Sequence, residues 1–263
     1  MLVPLGRRHD PPMDAATERQ SRISLPREHG AYLTLVGATI AGALAASDPA
    51  PAVAAGFTLG MAFLARGVLD RLVVGLPLRE WDATAVVLMA CALGEGARIA
   101  GSRHWGFTML AVACALALTV SSVMARRARK HRHLLFELLG LGILGTCAGI
   151  IGLAGGLVPK AALALAAVLG AHAASSVPVV RGTVRKGLAP PMRFLAACLG
   201  LILIAGALAF ALGIPLLAAA LVPRLADSVV GLTSGFRHAR PAVVGVRETV
   251  YLFIVLVVVS VAL

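Results

Sequence analysis

The sequence predicts an all-α fold, a polytopic bundle of about nine transmembrane helices with a cytoplasmic N-terminus and the C-terminus outside. Hydrophobic residues make up 59% of its 263 residues and charged residues only 14%, whereas charged residues are about a quarter of a soluble domain. The mean hydropathy is +0.90. The apolar residues form stretches of about 20 residues, the length that spans a hydrocarbon core of about 30 Å. Lys and Arg residues gather at every second gap between these stretches.

Nine apolar stretches are the predicted crossings, and short loops join them. In chain order they are Glu28–Ala46, Pro51–Val68, Ala83–Ala97, Gly106–Met124, Leu134–Leu153, Ala161–Val180, Phe194–Leu212, Pro215–Ser234 and Val246–Leu263. Residues 1–25 contain arginines and prolines but no apolar run, so we expect a disordered cytoplasmic tail there. Residues 26–263 form the predicted transmembrane helical domain.

Local features favour the individual helices. Pro26 and Glu28 suit the first turn of the first helix, because proline has no N–H to lose there and an acid complements the positive helix end. The fifth stretch carries glycines from Gly140 to Gly152, which allow neighbouring backbones to approach closely. We therefore expect this helix near the centre of the bundle. Gly213-Ile214-Pro215 leaves so short a gap that the seventh and eighth helices should form a tight antiparallel hairpin.

Two stretches fit a membrane crossing less well. Gly94-Glu95-Gly96 interrupts the end of the third stretch, and Arg224 and Asp227 lie within the eighth. If either segment is re-entrant, the bundle has eight crossings. The alternation of charge along the chain favours nine.

The cations predict the orientation. Of the 24 Lys and Arg residues, all but Arg98, Arg103 and Lys160 lie in the N-terminal tail or at every second gap, and five of them lie between Arg126 and Arg132. Because cationic loops are retained on the cytoplasmic side, the tail and the cation-rich gaps are predicted to face the cytosol. The predicted location is the bacterial cytoplasmic (inner) membrane. The net charge of +12 is spread over membrane-flanking positions, which favours anionic lipids as partners and not nucleic acid.

Ionisable and polar residues gather at the predicted cytoplasmic helix ends, where they suggest a polar cavity that binds an amphipathic anion. Each also has a structural explanation: Glu28 as a helix cap, Arg66 and Asp70 as a local i, i+4 ion pair, and Arg181 and Arg185 as membrane anchors. Two guanidinium groups four residues apart repel one another unless an anion joins them. The predicted ligand-binding residues are Glu28, His29, Tyr32, Arg66, Arg71, Arg181, Arg185, Arg247 and Glu248, and candidate catalytic residues are His29, Asp70 and Glu137.

Several motifs resemble the YwiC-like family of bacterial integral membrane proteins. Leu25 to Tyr32, with the residues Pro26-Arg27-Glu28-His29-Gly30-Ala31-Tyr32, is similar to the opening pattern of that family. Later similar stretches are Arg132–Gly140, Ser175–Arg185 and Gly245–Thr249, so the resemblance extends over nearly all of the chain after residue 25. It implies a membrane location and a set of polar positions more than an activity.

Nine helices with a polar cytoplasmic face also resemble the architecture of UbiA-type prenyltransferases. That family uses aspartate-rich motifs in the second and sixth gaps to hold Mg²⁺ against a diphosphate. Here the second gap has Asp70 and Asp82 without the DxxxD spacing, and the sixth has Arg181, Arg185 and Lys186 without an acid. We therefore predict no cofactor. Mg²⁺ is expected only if this resemblance extends to function, and its ligands would then be Asp70 and Asp82.

Three functions remain open at this point. The first is an integral membrane protein that binds an amphipathic anion, a lipid phosphate or a cofactor carboxylate. The second is a UbiA-like lipid or prenyl transferase. The third is a transporter, for which Glu95 and Arg98 are the polar candidates in the outer half. The substrate, the oligomeric state and the distinction between enzyme and binding protein are not determined by the sequence.

Overall fold

The structure is a computed structural model that describes residues 29–73, 75, 77, 82–101, 134–184, 192–236 and 238–263. Every regular element in these ranges is helical. They are α1 His29–Ala45, α2 Pro49–Val73, α3 Asp82–Gly101, α4 Leu134–Ala154, α5 Pro159–Val184, α6 Met192–Ala211, a 3-10 helix Pro215–Leu221, α7 Val222–Thr233 and α8 Pro241–Ala262.

Eight of the nine predicted stretches correspond to these helices. The fourth, Gly106–Met124, and the tail 1–25 lie outside the described residues. The eighth stretch differs from the prediction, because it begins with a 3-10 helix that starts at Pro215 and becomes α-helical only at Val222. The third helix continues through Gly94 and Gly96 to Gly101.

Five helical segments in the described ranges are long and apolar enough to cross a membrane. They are Leu134–Ala154, Pro159–Val184, Met192–Ala211, Pro215–Thr233 and Pro241–Ala262. Three shorter apolar helical segments, Gly30–Ala45, Pro49–Ala65 and Asp82–Cys91, precede them. The chain is therefore a helical membrane protein with five candidate spans, while the count of nine crossings stays a prediction.

The helices α4 and α5 pack with their backbones in contact. A Cβ atom added to Gly145 would lie 2.4 Å from the carbonyl oxygen of Leu169, and one added to Gly149 would lie 2.3 Å from that of Ala162. Gly42 of α1 similarly meets the α4 backbone at Ala148. The expected close approach of the glycine-rich helix is thus confirmed. Of the five helices long enough to span a membrane in the described ranges, its partner α5 is the most enclosed, since 72% of its most apolar 18-residue stretch is buried, against 44% for α4.

Contacts between loops define two ends of the bundle. At one end, the Ser47 hydroxyl and the Asp48 backbone N–H both donate to the carbonyl oxygen of Gly155, at 3.0 and 2.9 Å. At the other end, the backbone N–H of Ala239 donates to the carbonyl oxygen of Thr183 at 3.1 Å. We call this second end, where α4 and α8 begin and α5 and α7 end, the charged end.

The tight hairpin predicted around Gly213 is present. Gly213 has a φ of 79°, a conformation that glycine adopts without strain. The Ile214 N–H donates to the Ala209 carbonyl oxygen at 2.9 Å, which reverses the chain directly after α6. Large apolar side chains such as Ile204 of α6 and Phe253 of α8 remain exposed on the outside of the bundle. Such surface is typical of helices that face lipid.

The α4–α5 contact predicts that Gly149→Ala destabilises the protein. The added methyl group would collide with the Ala162 carbonyl oxygen and with the Ala166 Cβ, 2.7 Å away, and overpacking of this kind costs about 1–3 kcal/mol. We expect a lower thermal unfolding temperature in dodecyl maltoside. Gly140→Ala on the same helix is the control, because its Cβ would meet nothing within 4 Å. Equal unfolding temperatures for the two variants would contradict the described packing.

Candidate functional site

An ion pair between Glu137 and Arg181 joins α4 and α5 at the charged end. The Arg181 Nε donates to Glu137 Oε2 at 2.8 Å, and its Nη2 donates to Oε1. Glu137 lies in the first turn of α4 and Arg181 in the last turn of α5, where each charge also complements its helix dipole. This two-point geometry fixes the guanidinium plane. The carboxylate predicted as a catalytic candidate therefore positions an arginine predicted to bind a ligand.

A second group of charged residues lies between α7 and α8. The Arg224 Nη1 donates to Glu248 Oε1 at 3.0 Å, and Nη2 donates to Oε2. The Arg224 side chain is only 2% exposed. Because an unpaired guanidinium in such a place is very costly, the Glu248 carboxylate is a structural requirement of this fold.

Asp227 and Arg247 complete this group around the ring of Tyr251. Asp227 Oδ2 lies 3.7 Å from Arg224 Nη1, and Asp227 Oδ1 lies 3.7 Å from Arg247 Nη1. The Tyr251 hydroxyl donates to Asp227 Oδ1 at 3.3 Å. Both guanidinium groups approach the Tyr251 ring, with Cζ 5.2 and 5.8 Å from its centroid. We call Arg224, Asp227, Arg247, Glu248 and Tyr251 the α7–α8 cluster.

The charges of the α7–α8 cluster balance, but its hydrogen bonds do not. Two guanidinium groups face two carboxylates, and Arg247 Nη2 lies 3.5 Å from Glu248 Oε1. Within the described ranges, however, Arg247 Nε and Nη2, Arg224 Nε and Asp227 Oδ2 are buried without a hydrogen bond. Buried polar atoms are normally bonded. These atoms could therefore bond to a polar group brought by a ligand.

A third ionic contact fixes the connection between α2 and α3. The Arg71 Nε donates to the carbonyl oxygen of Pro77 at 3.1 Å and lies 3.8 Å from Asp82 Oδ2. Asp82 is fully buried at the first residue of α3. In the part of the chain that the structure describes, no three His, Cys, Asp or Glu residues come together as metal ligands. The side chain of Asp70, the other candidate magnesium ligand, lies outside that part.

The structure places the remaining predicted residues as follows. Tyr32 is half-buried and packs edge-to-face on Phe63 of α2, with ring centroids 5.3 Å apart. Glu28 and Arg185 lie outside the described residues, as do the side chains of His29 and Arg66. Neither Arg224 nor Tyr251 belongs to the predicted set of site residues. An arginine in the middle of an apolar stretch was the available signal, because such a residue requires an acid on another helix.

The comparisons with known proteins cover the first part of the chain. The family model of the YwiC-like protein matches residues 25–152. This range includes the motif from Pro26 to Tyr32 and the stretch Arg132–Gly140, whereas the resembling stretches Ser175–Arg185 and Gly245–Thr249 lie beyond it. No curated protein and no solved structure matches the chain. With its five membrane-length apolar helices, the chain is therefore an integral membrane protein whose residues 25–152 are similar to the YwiC-like family.

Proposed function

We propose that this membrane protein binds an amphipathic anion, a lipid phosphate or a cofactor carboxylate, on the cytosolic side of a nine-helix bundle. One observation carries the proposal. Three arginines in the predicted ligand-binding set, Arg71, Arg181 and Arg247, each lie against a carboxylate from a neighbouring helix, and each keeps part of its side chain exposed, 22%, 19% and 28%.

A partnered but exposed arginine suits an anion site for two reasons. The carboxylate holds the guanidinium in one orientation, so less side-chain freedom is lost when a ligand binds. A guanidinium carries five N–H donors in one plane, so a single arginine can contact a carboxylate and an anionic ligand together. Glu137 holds Arg181 in one orientation in this way.

The surrounding charge favours an anionic ligand. The sequence has 24 Lys and Arg residues against 12 Asp and Glu residues, and the cationic residues concentrate at the gaps predicted to face the cytosol. Anionic lipids of a cytoplasmic leaflet are attracted to such residues by about 1 kcal/mol for each cation. Asp82 is buried beside Arg71, so its carboxylate is better suited to orient this arginine than to bind magnesium. We therefore rank the UbiA-like transferase below the anion-binding protein.

Binding of a short-chain anionic lipid tests the proposal. We expect dioctanoyl phosphatidic acid to raise the thermal unfolding temperature of the protein in dodecyl maltoside, and dioctanoyl phosphatidylcholine to raise it less. Arg181→Ala should weaken the apparent affinity about tenfold, because a two-point contact to phosphate is lost. Lys160→Ala is the matched control, since Lys160 is an exposed cation at the opposite end. An unchanged shift in Arg181→Ala would reject the proposed site.

The orientation is tested separately with reporter fusions. Fusions of green fluorescent protein and of alkaline phosphatase are placed after Arg132 and after Gly156. We expect fluorescence but no phosphatase activity after Arg132, because five cations between Arg126 and Arg132 hold this loop inside. The reverse pattern is expected after Gly156. Phosphatase activity at Arg132 would overturn the orientation and the cytosolic assignment of the charged end.

A further inference from the structure

We propose that α5, α7 and α8 enclose a second polar site, deeper than the anion site, which binds the neutral hydroxyl head group of a long-chain amphiphile. The site uses the α7–α8 cluster together with His172 of α5 and Ser228 of α7. The two sites share Arg247, but this one extends deeper into the bundle, its own charges balance, and its ligand is neutral.

Unsatisfied buried atoms mark this site. Six buried side-chain N and O atoms lack a hydrogen bond in the described ranges, and all six lie on these three helices. They are His172 Nδ1, Arg224 Nε, Asp227 Oδ2, Ser228 Oγ, and Arg247 Nε and Nη2. Ser228 is fully buried, and His172 and Arg224 are 7% and 2% exposed. A buried polar atom without a partner is costly, so the occurrence of all six on three neighbouring helices indicates a binding site.

The geometry brings these groups together. Asp227 lies between the two guanidinium groups, at 3.7 Å from each. Ser228 follows Arg224 by four residues and so lies on the same face of α7. The helix α5, which carries His172, packs against both α7 and α8. The backbones of α7 and α8 scarcely approach one another, so their long side chains span the space between them.

The site reaches the middle of the bundle and ends there. Counting from the charged end, Glu248 lies about 10 Å and His172 about 18 Å along their helices, at about 1.5 Å for each residue. The hydrocarbon core is about 30 Å thick. Towards the opposite end, residues 161–171 of α5 and 252–259 of α8 contain no ionisable side chain. A polar path that ends midway suits binding better than conduction.

The charge balance and the free atoms together select the ligand. Two arginines already face two carboxylates, so an occupant with a net charge would leave uncompensated charge in a low-dielectric interior. The free groups include both donors, such as Arg224 Nε, and an acceptor, Asp227 Oδ2. A hydroxyl group can accept from the first and donate to the second. Val250 and Phe253 are exposed apolar residues of α8, along which an alkyl chain can extend into lipid.

Three probes with the same alkyl chain test this inference. The full-length protein in lauryldimethylamine oxide, a detergent without a hydroxyl group, is heated with hexadecanol, hexadecanoate or hexadecane at equal concentration. We expect hexadecanol to raise the unfolding temperature most, hexadecanoate less and hexadecane not at all. A shift with hexadecane as large as that with hexadecanol would overturn the site, because the alkyl chain alone would then bind. A larger shift with hexadecanoate that persists in Arg181→Ala, which lacks the proposed anion contact, would overturn the charge argument.

Variants locate the binding. Ser228→Ala removes a hydroxyl that makes no hydrogen bond within the described structure, so the variant should fold, and we expect it to weaken hexadecanol binding about tenfold. Asp227→Asn should weaken it as well. Ser260→Ala, which removes an exposed hydroxyl bonded to the Val257 carbonyl oxygen, should bind normally. Retention of the full shift by Ser228→Ala would reject the site. Arg181→Ala should keep the hexadecanol shift, which separates this inference from the anion proposal.

Discussion

The arrangement of α7 and α8 depends on one constraint, which is that a charge inside an apolar bundle must have its counter-charge within reach. Arg224 is almost completely buried and its guanidinium has Glu248 as its two-point partner. Removal of one member of a buried pair is far more damaging than removal of both, because the remaining charge stays desolvated. Glu248 therefore fixes the rotation of α8 against α7, and this rotation brings Tyr251 and Arg247 to Asp227.

Glycine packing supplies the rigid frame for these charges. The contacts of Gly145 and Gly149 with the α5 backbone fix α4 and α5 at very short distance. In this position Glu137 at the start of α4 reaches Arg181 at the end of α5. His172 of α5 is buried in the interior of the bundle. Small residues and ion pairs thus have complementary roles: the first set the distance between helices, and the second set their rotation.

Much of the fold could be predicted because each apolar helix carries its own signal. The bounds of α1 and α4 agree with the predicted stretches within a residue or two, and the hairpin at Gly213 follows from its local sequence. The pairing of charges could not be predicted in the same way. Glu137 had a local explanation at its helix end, and only the packing of α4 on α5 shows that its partner is Arg181.

Arg224 illustrates the limit of sequence reasoning most clearly. Its partner Glu248 is 24 residues away on another helix, and the rotation of each helix, which no local pattern specifies, decides whether they meet. The 3-10 helix at Pro215 was missed for a related reason, because hydropathy does not distinguish it from an α-helix. A sequence can therefore predict that a buried cation needs an acid, whereas the structure identifies which acid it is.

A double-mutant cycle on Arg224 and Glu248 tests the central claim most directly. The free energies of unfolding of Arg224→Gln, Glu248→Gln and the double variant are measured in the same detergent. A direct buried pair predicts that the double variant loses less stability than the sum of the two single losses, with a coupling energy of about 1–3 kcal/mol. Additive losses, with no coupling between the two positions, would contradict the account.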